Sequence, residues 1–464
     1  MLFSSVEFLL LFLPCSVGLY YLTPQRWRNA LLLLESLLFY AWGEPRLCLL
    51  MLTVALLHFA LGLQMGRTGH RRLWLVLTLC VDIGLLVFFK YTDLLLRTVG
   101  FSPLGLALPL GISFYLFQAM SYVVDVYRGE VARERDPIAF GLYLCFYPQL
   151  IAGPIVRYGD LRPALSARRE SVEQVARGIR LFAVGLCKKV LLANTAGELW
   201  QLFRMLTAQN RNPLGAWCGL VCFSLQIYYD FSGYSDMAVG LGRMFGFSLP
   251  KNFDYPYTAT SVREFWHRWH ITLSAWFREY VYIPLGGSRC GTGRVLFNLF
   301  VTWALTGLWH GAAWNFLLWG VYFFLLLALE RFVWGDAMKR WPSILRHGYL
   351  LLAVGLGWLI FAFDGGGDGL GFRDGIVFFS TMWKLPEITN FSANIWFELV
   401  RNLPILTLMC IGSTPLAARL AERLCKRHPR GGEICLSVLA VFGILLSLAS
   451  LTREGYNPFL YFRF

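Results

Sequence analysis

Apolar residues run along this chain in long charge-free stretches separated by short basic loops. Neither the amphipathic helices of a soluble domain nor alternating strands produce that pattern. The stretches cover residues 8–25, 47–66, 98–124, 137–156, 212–229, 295–329, 347–363, 402–418 and 434–452. A hydrocarbon core of ~30 Å takes about 20 helical residues to cross, and most of these stretches are of that order. Shorter or charge-interrupted segments lie at 30–42, 73–89, 179–196 and 234–248. The pattern predicts an all-α, polytopic membrane protein with about eleven membrane segments, some of them incomplete. No stretch between them is long enough for a separate soluble domain, so residues 1–464 are read as one membrane domain.

Several segments are too long or too polar for a plain lipid-facing helix. The run 295–329 has 35 residues and would span ~52 Å as one helix, too much for a single crossing. It should bend, and "WHGAAWN", with Gly311, is the expected place, which puts His310 at a bend inside the membrane domain. The run 137–156 contains Pro148, Gly153 and Pro154, which fits a re-entrant segment packed inside protein or lining a cavity. "LPLGISFYLFQAMSYVVDVYRG" (108–129) carries Ser113, Gln118 and Asp125, and "QIYYDFSGYSDMAVG" (226–240) carries Asp230 and Asp236. Such residues are costly in lipid and face a bundle interior or a wet cavity, where they join helices by hydrogen bonds or line a path.

Composition agrees: 57% of residues are hydrophobic and 15% charged, against about 25% charged in soluble domains. The net charge of +14 could suggest a nucleic-acid partner, but the cations sit in short loops between apolar runs, as the positive-inside rule requires. Loops 24–29, 66–72, 157–180 and 418–433 are therefore assigned to the cytoplasm and the acidic, glycine-rich 364–375 to the outside. The span 434–452 then carries "NPFLYFRF" to the far side. Parity fails once, since 128–136 and 157–180 both look cytoplasmic, and a re-entrant 137–156 would restore it. The N-terminus lacks a basic n-region and is expected to be a retained first span. The eleven Cys are scattered. Cys218 and Cys222 at i, i+4 have no matching second pair, so packing is their expected role.

The stretch "SVREFWHRWHITLSAWFREYVYIPLGG" (261–287) is too charged for a lipid-facing span and too aromatic for a solvated loop. As a helix it places Phe265, Trp269 and Trp276 near one face and Arg263, His267, His270 and Arg278 elsewhere, an interfacial or re-entrant amphipathic helix ending at Pro284-Leu285-Gly286-Gly287. His267 and His270 at i, i+3 have no third ligand in sequence to complete a metal site, so no metal is expected. His267 reads as an interfacial side chain. His270 is open between that role and a catalytic one. His310 is open between a structural histidine bonded to a carbonyl and a base that deprotonates a hydroxyl, the usual task of neutral imidazole.

The blocks "LPLGISFYLFQAMSYVVDVYRG", "FYPQLIAGPIVRY", "YYDFSGYSDMAVGLGRMFGFSLPKNFDYPY", "FWHRWHITLSAWFREYVYIPLGGSR" and "GLWHGAAWNF", in this order and over essentially the whole chain, resemble the membrane-bound O-acyltransferase family, above all its bacterial alginate O-acetyltransferase branch. The resemblance implies a ring of helices around a central tunnel, with acyl donor entering from the cytoplasm and acceptor from the other side. It places the family's near-signature histidine at His310 of "LWHG" and its Asn-or-His position at His270 of "RWHITLS", with 261–330 as the catalytic core region. It implies acetyl-CoA as probable donor, no permanently bound cofactor, a bacterial inner-membrane location, and work beside a periplasmic SGNH-type transferase or another acyl acceptor in a polysaccharide export complex. The tail 453–464 resembles the aromatic motif in which a tyrosine carries the acyl group at the outer face, here Tyr461. On the residues alone Tyr461 is equally an aromatic anchor at the membrane interface. A secondary transporter would also have broken helices, but no internal repeat is evident, and a scaffold would have no need of His310.

Overall fold

A computed structural model describes residues 1–65, 69–151, 153–210, 212–363, 371–384, 393–453 and 460. Tyr461, most of the 453–464 tail and the 364–370 part of the loop expected outside lie beyond the described residues. Among the described residues all regular structure is helical. Six helices are long and apolar enough to cross a membrane: Pro45–Met65, Arg71–Thr98, Trp314–Phe332, Ser343–Ala362, Asn394–Gly412 and Pro429–Arg453.

Two expected segments take other forms. The stretch 98–124 is not one span, because Gly100, Gly105 and Gly111 adopt φ of 85°, 67° and 71° and Pro103 and Pro109 lack an amide donor. Its helix starts only at Ile112 and runs to Arg128. The stretch 137–156 divides into Pro137–Cys145 and Tyr147–Leu150, both largely buried. The 295–329 run breaks where its length required, into Thr292–His310 and Trp314–Phe332.

The chain folds into two compact units. The first comprises Met1–Leu186, Tyr234–Lys251 and Gly443–Arg453. Nearly every residue of its Ile112–Arg128 helix is buried, Ser113, Gln118 and Asp125 included, so that helix faces protein. Two of its buried ionisable groups, Glu35 and His58, are hydrogen-bonded. Ser16 Oγ donates to Glu35 at 2.6 Å, and His58 is held between the Val54 carbonyl at 2.8 Å and Asp82 at 3.0 Å.

The second unit comprises Cys187–Gly233, Asn252–Phe442 and Glu454–Phe464. Its core is rich in tryptophan: the Trp266 ring meets Trp303 at 4.9 Å and Phe323 at 4.8 Å, and Trp269 meets Trp358 at 4.8 Å. Helices Thr292–His310 and Trp314–Phe332 pack with their backbones nearly touching at Gly307 and Gly320. A Cβ on Gly307 would stand 2.3 Å from the Phe316 carbonyl oxygen, and one on Gly320 2.3 Å from that of Trp303. Small residues are what allow such contact between membrane helices. The obstructing atoms are backbone, so Gly307→Ala is expected to cost about 3 kcal/mol, the upper end for overpacking. The thermal unfolding midpoint in detergent checks this, and an unchanged midpoint would contradict the close contact.

Candidate active site

The site is built in the second unit around two interrupted helices. Val262–Arg268 starts after Ser261, whose Oγ accepts the Glu264 amide at 3.1 Å. The Glu330 carboxylate accepts the amides of Val262 and Arg263 at 2.7 and 3.0 Å, placing negative charge where the helix dipole favours it. The helix stops at Trp269. His270 follows with φ 45° and ψ 55°, a left-handed conformation uncommon outside glycine, and caps the next helix, Ile271–Phe277.

Asn252 holds this break together. Its main-chain oxygen accepts the Ile271 amide at 3.0 Å. Its side-chain Oδ1 accepts the Thr272 amide at 3.2 Å and the Thr272 hydroxyl at 3.0 Å, and lies 3.2 Å from His270 Nδ1. The Thr272 amide can only donate, so this oxygen must be an acceptor, and the His270 Nδ1–H therefore donates to it. That tautomer leaves Nε2 as the basic nitrogen of the ring. Phe231 sets its ring at right angles to the imidazole, 4.6 Å between centroids. Burial, with nearby His310 as a lesser cause, holds the His270 imidazole well below its ordinary value, so it is neutral at physiological pH.

His310 is the last residue of Thr292–His310 and is also buried. Aromatic rings surround it, Trp309 and Trp319 each at 5.0 Å and Phe361 at 5.4 Å. The next position must be glycine for lack of space, since a Cβ on Gly311 would stand 2.2 Å from the Phe316 ring.

Both imidazoles line one cavity of about 770 Å³, with Trp266, Trp303 and Thr306. Towards its rim the lining becomes cationic through Arg263, Arg278, Arg331, Lys339 and Arg346. Lys339 is paired with Asp336 at 2.6 Å. A buried neutral base at one end and a cationic rim at the other suit a substrate with an anionic handle and a reactive group some distance from it.

The structure brings His270 and His310 together in one cavity that His267 also lines, while Tyr461 lies outside the described residues. His267 is exposed, with its Nδ1 2.6 Å from the Arg263 carbonyl oxygen. Among the described residues no three His, Cys, Asp or Glu side chains gather into a metal-binding group. Cys222 is buried and Cys218 half-buried, both as free thiols. The expected single helix over 261–287 is corrected to two short helices and a π-helical turn, Arg278–Tyr282, because the chain reverses locally at His270. Phe265 and Trp269 do stack, at 5.5 Å, whereas Trp276 packs on Phe277 and Tyr280. Asn252 and Glu330 were not sequence candidates. The first sits 18 residues from its partner and the second more than 60, with no motif to join them.

Residues 38–336 match the membrane-bound O-acyltransferase family. The chain belongs to that family. It is a multi-pass membrane O-acyltransferase. A probable alginate O-acetylase of Pseudomonas putida is 38% identical over 491 residues, covering 100% of both chains. One of Pseudomonas aeruginosa is 40% identical over 431 residues, covering 90% of this chain and 80% of the other. A peptidoglycan O-acetyltransferase of Helicobacter pylori is 34% identical over 406 residues, covering 78% of this chain and 77% of that one.

The geometry at Asn252 gives a test. Asn252→Ala removes the acceptor that orients His270, and a displacement of about 1 Å at a reacting group can cost ~10²-fold in rate. Acyltransferase turnover should fall by about that factor in protein that still purifies as a single species, with Asn252→Asp retaining more. Wild-type turnover in Asn252→Ala would remove the orienting role.

Proposed function

We propose that this enzyme takes acetyl groups from cytoplasmic acetyl-CoA and delivers them across the inner membrane to O-acetylate a secreted or cell-envelope polysaccharide. The observation that carries this reading is a cavity shared by the buried His270 and His310, with the exposed or half-buried Arg263, Arg278, Arg331, Lys339 and Arg346 outnumbering Glu330 and Asp336 in its lining. The basic connection between Trp314–Phe332 and Ser343–Ala362, with Lys339 and Arg340, and the helix ends beside it, with Arg331 and Arg346, belong on the cytoplasmic side by the positive-inside rule. Two spans later the basic 418–433 loop returns to that side, consistent with the same assignment. Coenzyme phosphates would meet the rim, with the thioester reaching inward. The alginate and peptidoglycan acetylases related to this chain support a carbohydrate polymer as final acceptor.

His310 serves as general base on the accepting hydroxyl, and His270 orients it or steadies the developing oxyanion. The first acceptor is the Tyr461 hydroxyl. Its oxygen attacks the thioester carbonyl, the carbon–sulfur bond breaks, and the phenolic proton passes through the imidazole to the departing coenzyme thiolate. A polymer hydroxyl then attacks the tyrosyl ester, assisted by a periplasmic SGNH-type transferase. The bond between the acetyl carbonyl carbon and the phenolic oxygen breaks, and the polymer's hydroxyl proton returns to the phenolate. A phenol of pKa near 10 leaves far more readily than a sugar alkoxide, so the ester keeps the acetyl group transferable.

His310→Ala should reduce acetyl transfer from acetyl-CoA by about 10² to 10⁴-fold, the usual contribution of a positioned base. Turnover independent of His310, measured as coenzyme release in proteoliposomes, would favour a scaffold or transporter. Tyr461→Phe should fold normally yet abolish polymer acetylation, and normal acetylation there would remove the relay. Replacing Arg263, Arg331 and Arg346 with Gln should raise the KM for acetyl-CoA about tenfold or more through lost charge-assisted bonds, with a smaller change in kcat.

A further inference from the structure

Leu460 is the described residue of the 454–464 segment, and it is buried. Its amide donates to Asp230 Oδ2 at 2.8 Å, across 230 positions of sequence. The other carboxylate oxygen of Asp230 lies 2.7 Å from Lys189 Nζ, with both side chains almost wholly buried. Lys189 also donates to Asn194 Oδ1 at 3.1 Å, which fixes the ammonium beside the carboxylate. One residue beyond Asp230, Phe231 makes its edge contact with His270. One residue beyond Leu460 in the chain comes Tyr461.

We propose that the buried Lys189–Asp230 pair is a docking site for the chain's own terminal segment, anchoring the Leu460 backbone so that the residue-461 hydroxyl is delivered to the two histidines. The proposal rests on the relay described under Proposed function. Lys189 neutralises Asp230 in the apolar interior and leaves one carboxylate oxygen to accept a main-chain amide. Such a bond to a charged acceptor is stronger than one between neutral groups. It reads backbone rather than side chain, and it fixes a Cα only ~3.8 Å from that of residue 461. Lys189 and Asp230 are therefore positioning residues that touch neither donor nor polymer.

The test uses the full-length protein in proteoliposomes with two independent variants. Leu460→Pro removes the amide donor and leaves the ion pair intact. The double variant Lys189→Met/Asp230→Asn removes both charges at once, avoiding the lone buried charge that either single change would leave. Two quantities are read: the rate at which carboxypeptidase releases residues 461–464, and the acetyl occupancy of Tyr461 by mass spectrometry of the terminal peptide after incubation with acetyl-CoA. In both variants release should quicken by about tenfold or more, the scale of a bond to a charged group, and acetyl occupancy should fall in step. Wild-type release in both variants overturns the docking site. Faster release with unchanged acetylation overturns the delivery role. If wild-type Tyr461 never carries acetyl, the relay itself fails, and the release rate alone then decides whether the segment docks.

Discussion

A helix interrupted inside apolar protein exposes amides and carbonyls that no water can satisfy, and every such break must be closed from within. Both candidate histidines sit at breaks of this kind. At 269–272 the closure comes from Asn252, whose backbone and side-chain oxygens take the amides of Ile271 and Thr272. At 311–313 it is local, the Gly311 amide returning to the Leu308 carbonyl and the Phe316 amide to that of Ala313. The imidazoles are placed by these closures. His270 turns through a left-handed residue and His310 ends its helix, so each ring stands at a helix end and lines the cavity. Tight backbone contact at Gly307 and Gly320 fixes the angle at which the second break opens.

The buried end of the site is aromatic while its rim is charged, and under the proposed reaction the two properties would serve different steps. Trp309, Trp319 and Phe361 surround His310 with rigid apolar rings. Excluding water matters for a thioester or an aryl ester, since both hydrolyse when water competes with the intended acceptor. Under the proposed reaction the rim cations would act at longer range on a part of the donor that does not react, and binding energy gathered there would position the reacting end.

Legibility in the sequence followed the range of each interaction. The break at Gly311 was readable because a charge-free run of 35 residues exceeds one crossing. The bundle-facing character of Ile112–Arg128 was readable from Gln118 and Asp125 in an apolar setting. The break at His270 was not, because Phe265, Trp269 and Trp276 keep helical spacing through it. The oxygen atoms of Asn252, distant in sequence, accept the amides that this break exposes. Glu330 escaped notice for the same reason: it lies at the end of an apolar span, where an acid reads as a helix terminus, yet it caps a helix 67 and 68 residues earlier. The stretch 98–124 is apolar enough for a span, yet its two prolines and its three glycines, all at positive φ, keep it from forming one helix.

The buried Lys189–Asp230 pair shows why polar residues in such a chain need separate accounting. Two charges taken from water seldom gain enough from each other to stabilise a fold, and apolar residues of similar volume often serve stability as well or better. A pair of this sort is explained by what it does for a third group. Here one carboxylate oxygen is engaged by Lys189 and the other by the Leu460 amide, 230 positions away in sequence. The His58–Asp82 contact is the useful contrast. Both His58 ring nitrogens are engaged within or between two neighbouring spans, by the Val54 carbonyl and by Asp82, which is helix-to-helix bonding. Where a buried pair ties adjacent helices it belongs to the scaffold, and where it receives a remote backbone group beside a candidate site, as proposed for Lys189–Asp230, its role is to position that group.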